Sequence, residues 1–402
     1  MAYIRLMQYK QYNWQQTDWP SFRYDLGGFG DLLFALGKRS SHLSGVMRGM
    51  AEGDVAEATV DLLVSEAIKT SEIEGEYLSR EDVRSSICVN LGYPSELTNV
   101  GDPRARGAGS LMVAVRKSFY EKLSEKTLFA WHTLLMEGAN RNAIIGKWRL
   151  SEEPMQVVSG PIGKWKVHFE APPSDAVKGE MKRFIAWFNA TAPKAKKEST
   201  EQKARVGEIT GQKTTKQEIT EPGVRAAIAH LYFESIHPFD DGNGRIGRAI
   251  ADKALAQEAG VPLLISLSRT ISTRKSDYYE ALTKAQRSKD VTEWVGYFLR
   301  TILKAHEEAE HQIDFVLKKS RYLDKFKPLL MERQMKVILR MFREGPDGIK
   351  GGGFEGGMNA RKYCSLTKVS KATATRDLQR LEELGALVRS GHGRSTNYSL
   401  TL

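Results

Sequence analysis

Apolar positions recur at helical spacing along most of this chain. Residues 32–50 and 54–70 place apolar side chains every three to four positions and predict two amphipathic helices. The same spacing predicts helices over 110–124, 127–136, 175–189, 224–236, 249–259 and 278–286, then long helices from 290 to about 322. Pro238 stops the helix that ends at Ile236. Residues 104–107 read as a polar break between helices. One stretch departs from helical spacing. Two β-prone runs flank Ser159-Gly160-Pro161-Ile162-Gly163, which predicts a hairpin over 155–170, closed by Pro172-Pro173. From 191 to 222, Lys194, Lys196, Lys197, Lys203, Arg205, Lys213 and Lys216 alternate with Glu198, Glu201, Glu208, Glu218 and Glu221. So few apolar residues cannot bury a core, and this predicts an exposed, mobile insertion.

The tail has its own pattern. Residues 328–342 predict a basic amphipathic helix with Pro328 in its first turn, and 345–357 are a Gly-rich break. Residues 360–385 read as helix-turn-helix, with short strands at 387–388 and 398–400 around 390–395. The fold class expected is mainly α. A length of 402 residues allows two or three domains, and an apolar content of 41% excludes wholesale disorder. No apolar run approaches membrane-spanning length, and the first residues lack a signal-peptide core. Cys88 and Cys364 suggest neither a disulfide framework nor a zinc site. A cytoplasmic protein with no membrane partner is expected. The formal charge of +11 favours polyanionic partners, nucleotide or nucleic acid.

The densest chemistry lies between His237 and Arg248. Asp241-Gly242-Asn243-Gly244 is a tight loop feeding a helix N-terminus, where unbonded amides and the helix dipole receive anions. Arg245 and Arg248, one turn apart, add forked donors for phosphate oxygens. Asp241 offers the hard oxygen that a Mg²⁺ shared with a nucleotide needs. His237 can take a proton near neutral pH. Together they predict a phosphoryl- or nucleotidyl-transfer site.

The run resembles the Fic family signature, His-x-Phe-x-Asp-Gly-Asn-Gly-Arg-x-x-Arg, at every fixed position. The resemblance implies a Fic-type helical core that transfers AMP from ATP to a Tyr, Ser or Thr hydroxyl of a target protein. In family terms His237 is the base and Asp241 holds Mg²⁺. The Gly242-Asn243-Gly244 backbone cradles the ATP phosphates, Arg245 and Arg248 meet the outer ones, Ile246 and Gly247 belong to the same ATP-binding run, and Phe239 anchors the loop. Upstream, Thr70, Glu74 and Gly75 resemble the family's inhibitory motif, Ser/Thr-x-x-x-Glu-Gly/Asn. That resemblance implies a carboxylate on Arg248 where a γ-phosphate belongs. The hairpin is similar to the family flap, which docks the target by strand addition, with Val157, Val158, Ser159 and Gly160 along the nucleotide. Tyr278-Tyr279-x-x-Leu282 resembles a segment beside the nucleotide, but Gln286 stands where the family often has Asn.

Residues 345–402 resemble a winged helix, which implies DNA contacts from Lys371, Thr373, Thr375, Arg376 and Arg394. The expected divisions are 1–105 with the inhibitory helix, 106–310 as core including the 191–222 insertion, 311–344 as helical linker, and 345–402. The function expected is a protein adenylyltransferase restrained by Glu74. Removal of AMP and nucleotide-sensing DNA binding stand as alternatives, and homodimerisation stays open.

Overall fold

A computed structural model of the chain describes residues 12–94, 100–139, 143–160, 165–193, 212–214, 221–343 and 357–402. It is mostly helical, with few short strands. The chain divides into two compact units, Met1–Gly45 with Thr59–Glu307, and Val46–Ala58 with Glu308–Leu402. No helix among the described residues is long and apolar enough to cross a membrane.

The first unit is organised on α7 (Val224–Ile236), every residue of which is buried. Its apolar residues fall on every face, which suits a helix at a centre. It packs on α8 (Asn243–Ala259). The polar residues of α7 are accommodated individually. Arg225 donates to the Phe188 carbonyl and to Gln257 Oε1, both at 2.8 Å. Ser235 Oγ accepts from Asn13 at 2.8 Å. Around this pair lie α3 (Arg80–Leu91), α4 (Pro103–Lys117), α5 (Glu125–Leu135), α6 (Ser174–Ala190), α9 (Leu267–Thr273) and α10 (Lys275–Ala285). Three helices, α1 (Gly30–Arg48), α2 (Glu52–Ile73) and α11 (Thr292–Phe326), contribute residues to both units.

Residues 104–107 are not a break. They are the first turn of α4, started by the Asp102 carboxylate, which accepts from the Arg104 amide at 2.9 Å, and by Pro103. The inward residues are small, Ala105, Ala108 and Gly109, so the apolar signal is weak. Arg104 and Arg106 stand on the outer side, paired with Asp102 and Glu137.

β2 (Gln156–Ser159) and β3 (Lys166–Glu170) form the expected antiparallel hairpin, with a register irregularity at Val157/Val158. Its turn residues, 161–164, lie outside the described residues. Most of 191–222 does too, but Gln212–Thr214 form β4, antiparallel to β1 (Arg23–Asp25). That part of the stretch is therefore a strand. Its alternating charges conceal it because backbone pairing needs no apolar side chain.

The second unit has its own core, with Phe315, Tyr322 and Phe326 of α11 meeting Val337, Ile338 and Phe342 of α12 (Glu332–Phe342). α12 begins at Glu332, later than expected, because Pro328 sits in a short 3-10 turn, Lys327–Leu329. Next come α13 (Ala360–Thr367), α14 (Lys371–Glu383), and the hairpin of β5 (Leu387–Ser390) with β6 (Asn397–Leu400). Asp377 of α14 is pinned by Arg333 at 2.7 and 3.0 Å and by the Tyr363 hydroxyl at 2.8 Å.

Candidate active site

α7 ends at Ile236, and His237 takes the left-handed conformation, φ 51° and ψ 61°. That is costly for a residue with a Cβ, so something must hold it. Arg149, itself buried, does. Its Nε donates to the His237 carbonyl at 2.8 Å, its Nη1 to Ser174 Oγ at 2.9 Å, and its Nη2 to the Pro172 carbonyl. Its own amide donates to the Pro238 carbonyl at 2.9 Å.

The loop that follows is shaped from both sides. Phe239 is fully buried, and its ring stacks on His132 of α5 with centroids 4.0 Å apart. His132 Nδ1 accepts from the Gly146 amide at 3.0 Å, which leaves Nε2 to donate to the Asp241 carbonyl at 3.1 Å. Burial lowers the affinity of this ring for a second proton. Asn243 clips the loop shut: its Oδ1 accepts from the Phe239 amide at 2.9 Å, and its Nδ2 donates to the Phe239 carbonyl at 2.7 Å. Gly242 precedes α8 with φ 79°, a conformation that favours glycine.

The first-turn amides of Asn243, Gly244 and Arg245 have no carbonyl to bond within the helix, so they form an anion-receptive nest. Arg245 and Arg248 rise beside it, each nearly buried and each tied to a carboxylate. Arg248 Nη2 meets Glu74 Oε1 at 2.7 Å and the Thr70 carbonyl at 3.0 Å, while its Nε meets Thr70 Oγ1 at 2.7 Å. Arg245 Nη1 meets Glu76 Oε2 at 2.7 Å. Glu74 follows directly on α2, and Gly75, at φ 85°, turns the chain so that Glu76 can face the other arginine. Gly244 lies where any Cβ would run into Glu74 Oε1. Lower on α2, buried Glu66 accepts from Ser266 Oγ at 2.8 Å and the Ser268 amide at 2.9 Å, fastening the helix to α9.

The Asp241 side chain is 68% exposed, and its Oδ1 accepts the Gly242 amide at 2.6 Å. The accessible Asp241 carboxylate beside the nest fits Mg²⁺ whose other ligands are phosphate oxygens and water. It does not make a metal cage of its own, and among the described residues no cluster of three or more His, Cys, Asp or Glu could hold one.

Not every residue expected at the nucleotide is available to it. Ile246 is fully buried, and Gly247 faces inward against Glu234 and His230. Tyr278 is buried with its hydroxyl on His230 Nε2 at 2.8 Å, so its ring cannot present a face to a base. The half-buried neighbour Tyr279, with its hydroxyl 3.5 Å from the Ile73 carbonyl, lies nearer the α2 terminus. Gln286 is buried too, its amide donating to the Glu234 carbonyl at 3.3 Å. The cause is helical register: the first of two adjacent residues on α10 points at the α7 core. Val157 and Val158 are half-buried, and Ser159 and Gly160 exposed, on a two-stranded sheet. Lys371, Thr375 and Arg376 are exposed on α14, Thr373 is half-buried at its capping turn, and Arg394 lies in the turn between β5 and β6.

Five residues shaping this site were not singled out by the sequence: Arg149, His132, Glu66, Glu76 and Glu234. Only Glu234, one turn before His237 on the same helix, had a local signal.

Residues 122–255 match the Fic/DOC family, and residues 12–93 match a domain of unknown function (DUF4172). A Fic family protein from Desulfovibrio desulfuricans G20 is 20% identical, with TM-score 0.48 over 92% of this chain and 96% of its own. A Fic domain containing signaling protein from Bacteroides thetaiotaomicron is 15% identical, with TM-score 0.49 over 72% of this chain and 97% of its own. Fic-1 from C. elegans is 18% identical, with TM-score 0.47 over 72% of this chain and 73% of its own. His237, the amide nest and both arginines fall inside the 122–255 stretch that matches the Fic/DOC family.

Proposed function

We propose that this chain is a protein adenylyltransferase that moves AMP from ATP to a hydroxyl of a target protein and is held off by its own residues 74–76. The observation that carries this reading is a histidine poised beside an amide nest whose two arginines are both occupied by internal carboxylates. His237 takes the proton of the target hydroxyl as its oxygen bonds to the α-phosphorus, and the α–β bridging bond breaks to release pyrophosphate. The nest and Arg245 stabilise the charge that develops on the phosphates. Asp241 would hold Mg²⁺, which neutralises phosphate charge when bound. The hairpin supports target docking by strand addition, since β2–β3 is a two-stranded sheet among the described residues. In the resting form Glu74 occupies Arg248, so ATP cannot seat its γ-phosphate.

The test is transfer of label from ATP carrying it at the α- or γ-phosphate, with Mg²⁺ and host lysate. Label from the α-position alone, strongest in Glu74→Gly and absent in His237→Ala, is the expected result. Label from the γ-position would make the chain kinase-like. No transfer in Glu74→Gly would overturn the brake, and removal of AMP, with Glu74 orienting water, would then be the better reading.

A second reading concerns the last residues, which we regard as a winged helix able to bind duplex DNA. It is favoured by Lys371, Thr375 and Arg376 standing exposed along α14.

A further inference from the structure

Glu234 is 4% exposed, on α7 one turn before His237, and the reaction above does not use it. Its Oε2 lies 3.6 Å from His237 Nδ1, longer than a hydrogen bond and within ion-pair reach. Nδ1 is shut off from solvent and has no other partner among the described residues. The left-handed turn at His237 is what folds the ring back toward this carboxylate. Facing Glu234 from the packed elements are His230 on α7, Arg248 on α8, and Tyr278 and Tyr279 on α10. Arg248 spends its bonds on Thr70 and Glu74, and none joins it to Glu234. His230 gives its Nε2 to Tyr278. Among the described residues, His237 is the cationic partner that lies within ion-pair reach of Oε2. Burial opposes a charge on Glu234, yet the His237, His230 and Arg248 side chains hold its carboxyl below the ordinary range, so it stays an acceptor.

We propose that Glu234 is a positioning residue that keeps the His237 proton on Nδ1 and so presents Nε2, unprotonated, to the incoming hydroxyl. A carboxylate can only accept, so it selects the Nδ1–H tautomer and fixes the ring's rotation. This rests on the reading of His237 as the base. The bland alternative is a core carboxylate that balances buried cations, in which case neither the tautomer nor the rate would follow its chemistry.

The experiment is ¹⁵N NMR of the full chain with labelled histidine at pH 8, His237 being assigned by difference against His237→Asn. The native ring should carry its proton on Nδ1. Glu234→Gln keeps the volume but can donate its amide N–H to Nδ1, so the proton should move to Nε2. In the Glu74→Gly background, the same change should lower kcat for AMP transfer by up to ~10⁴-fold with KM for ATP within about twofold, as when a wrong tautomer is imposed on a catalytic histidine. Glu234→Asp, which restores the charge, should return the Nδ1–H tautomer. A native ring protonated on Nε2 overturns the proposal, and that reading is taken on the native chain, with His237→Asn serving only to assign the signal. So does an unchanged tautomer and kcat in Glu234→Gln. A tautomer that responds as expected in a chain with no AMP transfer would support the positioning role and count against the adenylyltransferase reading instead.

Discussion

His237 sits in a conformation that costs an L-residue about 1–2 kcal/mol. Arg149 offsets that cost by bonding the His237 carbonyl and fastening it to the Pro172 carbonyl of a distant segment. A lysine keeps the charge but not the fork. Arg149→Lys should therefore lose about 2–4 kcal/mol in denaturant unfolding, from buried carbonyls left unbonded. A loss under about 0.5 kcal/mol, within the range of an ordinary surface change, would mean the turn is held by something else. The pair at Arg245 is a separate matter. Arg245 is almost wholly buried while Glu76 is partly open to water, and the pair of Arg248 with Glu74 is matched in length and exposure. In the Glu74→Gly background, Glu76→Ala should tighten ATP binding by about 2–5-fold, read by titration calorimetry, which is the scale of a partly exposed ion pair. Unchanged affinity would show that Arg245 does not compete between Glu76 and phosphate.

At the scale of elements, the α7–loop–α8 unit could be read in advance because every step is local: an apolar helix, a proline stop, a glycine loop, a second helix. The first turns of α4 could not, because the inward residues there, Ala105, Ala108 and Gly109, are small, and what makes them a helix face is how closely the neighbours pack. The far end of α8 meets the start of α7 through Glu258, which accepts from the Gly223 amide at 2.8 Å. Burial pushes that carboxyl up to about 7, from an ordinary value near 4.5, with Arg225 nearby working the other way. A folded-state pKa above the unfolded one means the contribution is fully present below about 4.5 and is lost as pH rises through about 7. The native chain should therefore lose part of its thermal stability between pH 5 and 8 (roughly the window set by those two values). Glu258→Gln should flatten that slope and raise Tm at the alkaline end. An identical slope in both proteins would remove Glu258 as its cause.

At the scale of the whole molecule, two compact units share one chain, and each closes its own apolar core. If α14 reads DNA, Arg376→Ala should weaken duplex binding and reduce the salt slope by about one counterion contact. Binding that keeps its affinity and its slope would leave this unit as a protein-docking or dimerisation module. The Fic/DOC match covers 122–255, yet the carboxylates on Arg248 and Arg245 come from residues 74 and 76, inside the stretch matched by the domain of unknown function. By itself the sequence determined what depends on neighbours in the chain: helical spacing, the hairpin, the loop entering α8, and the register of Thr70 with Glu74. Tertiary structure alone decided which groups from distant segments meet. It aimed Arg149 at His237, His132 at the Asp241 carbonyl and Glu76 at Arg245, and it buried Tyr278 and Gln286. Spacing along a chain reports which side of an element a residue occupies, but what lies across from that side is decided by packing.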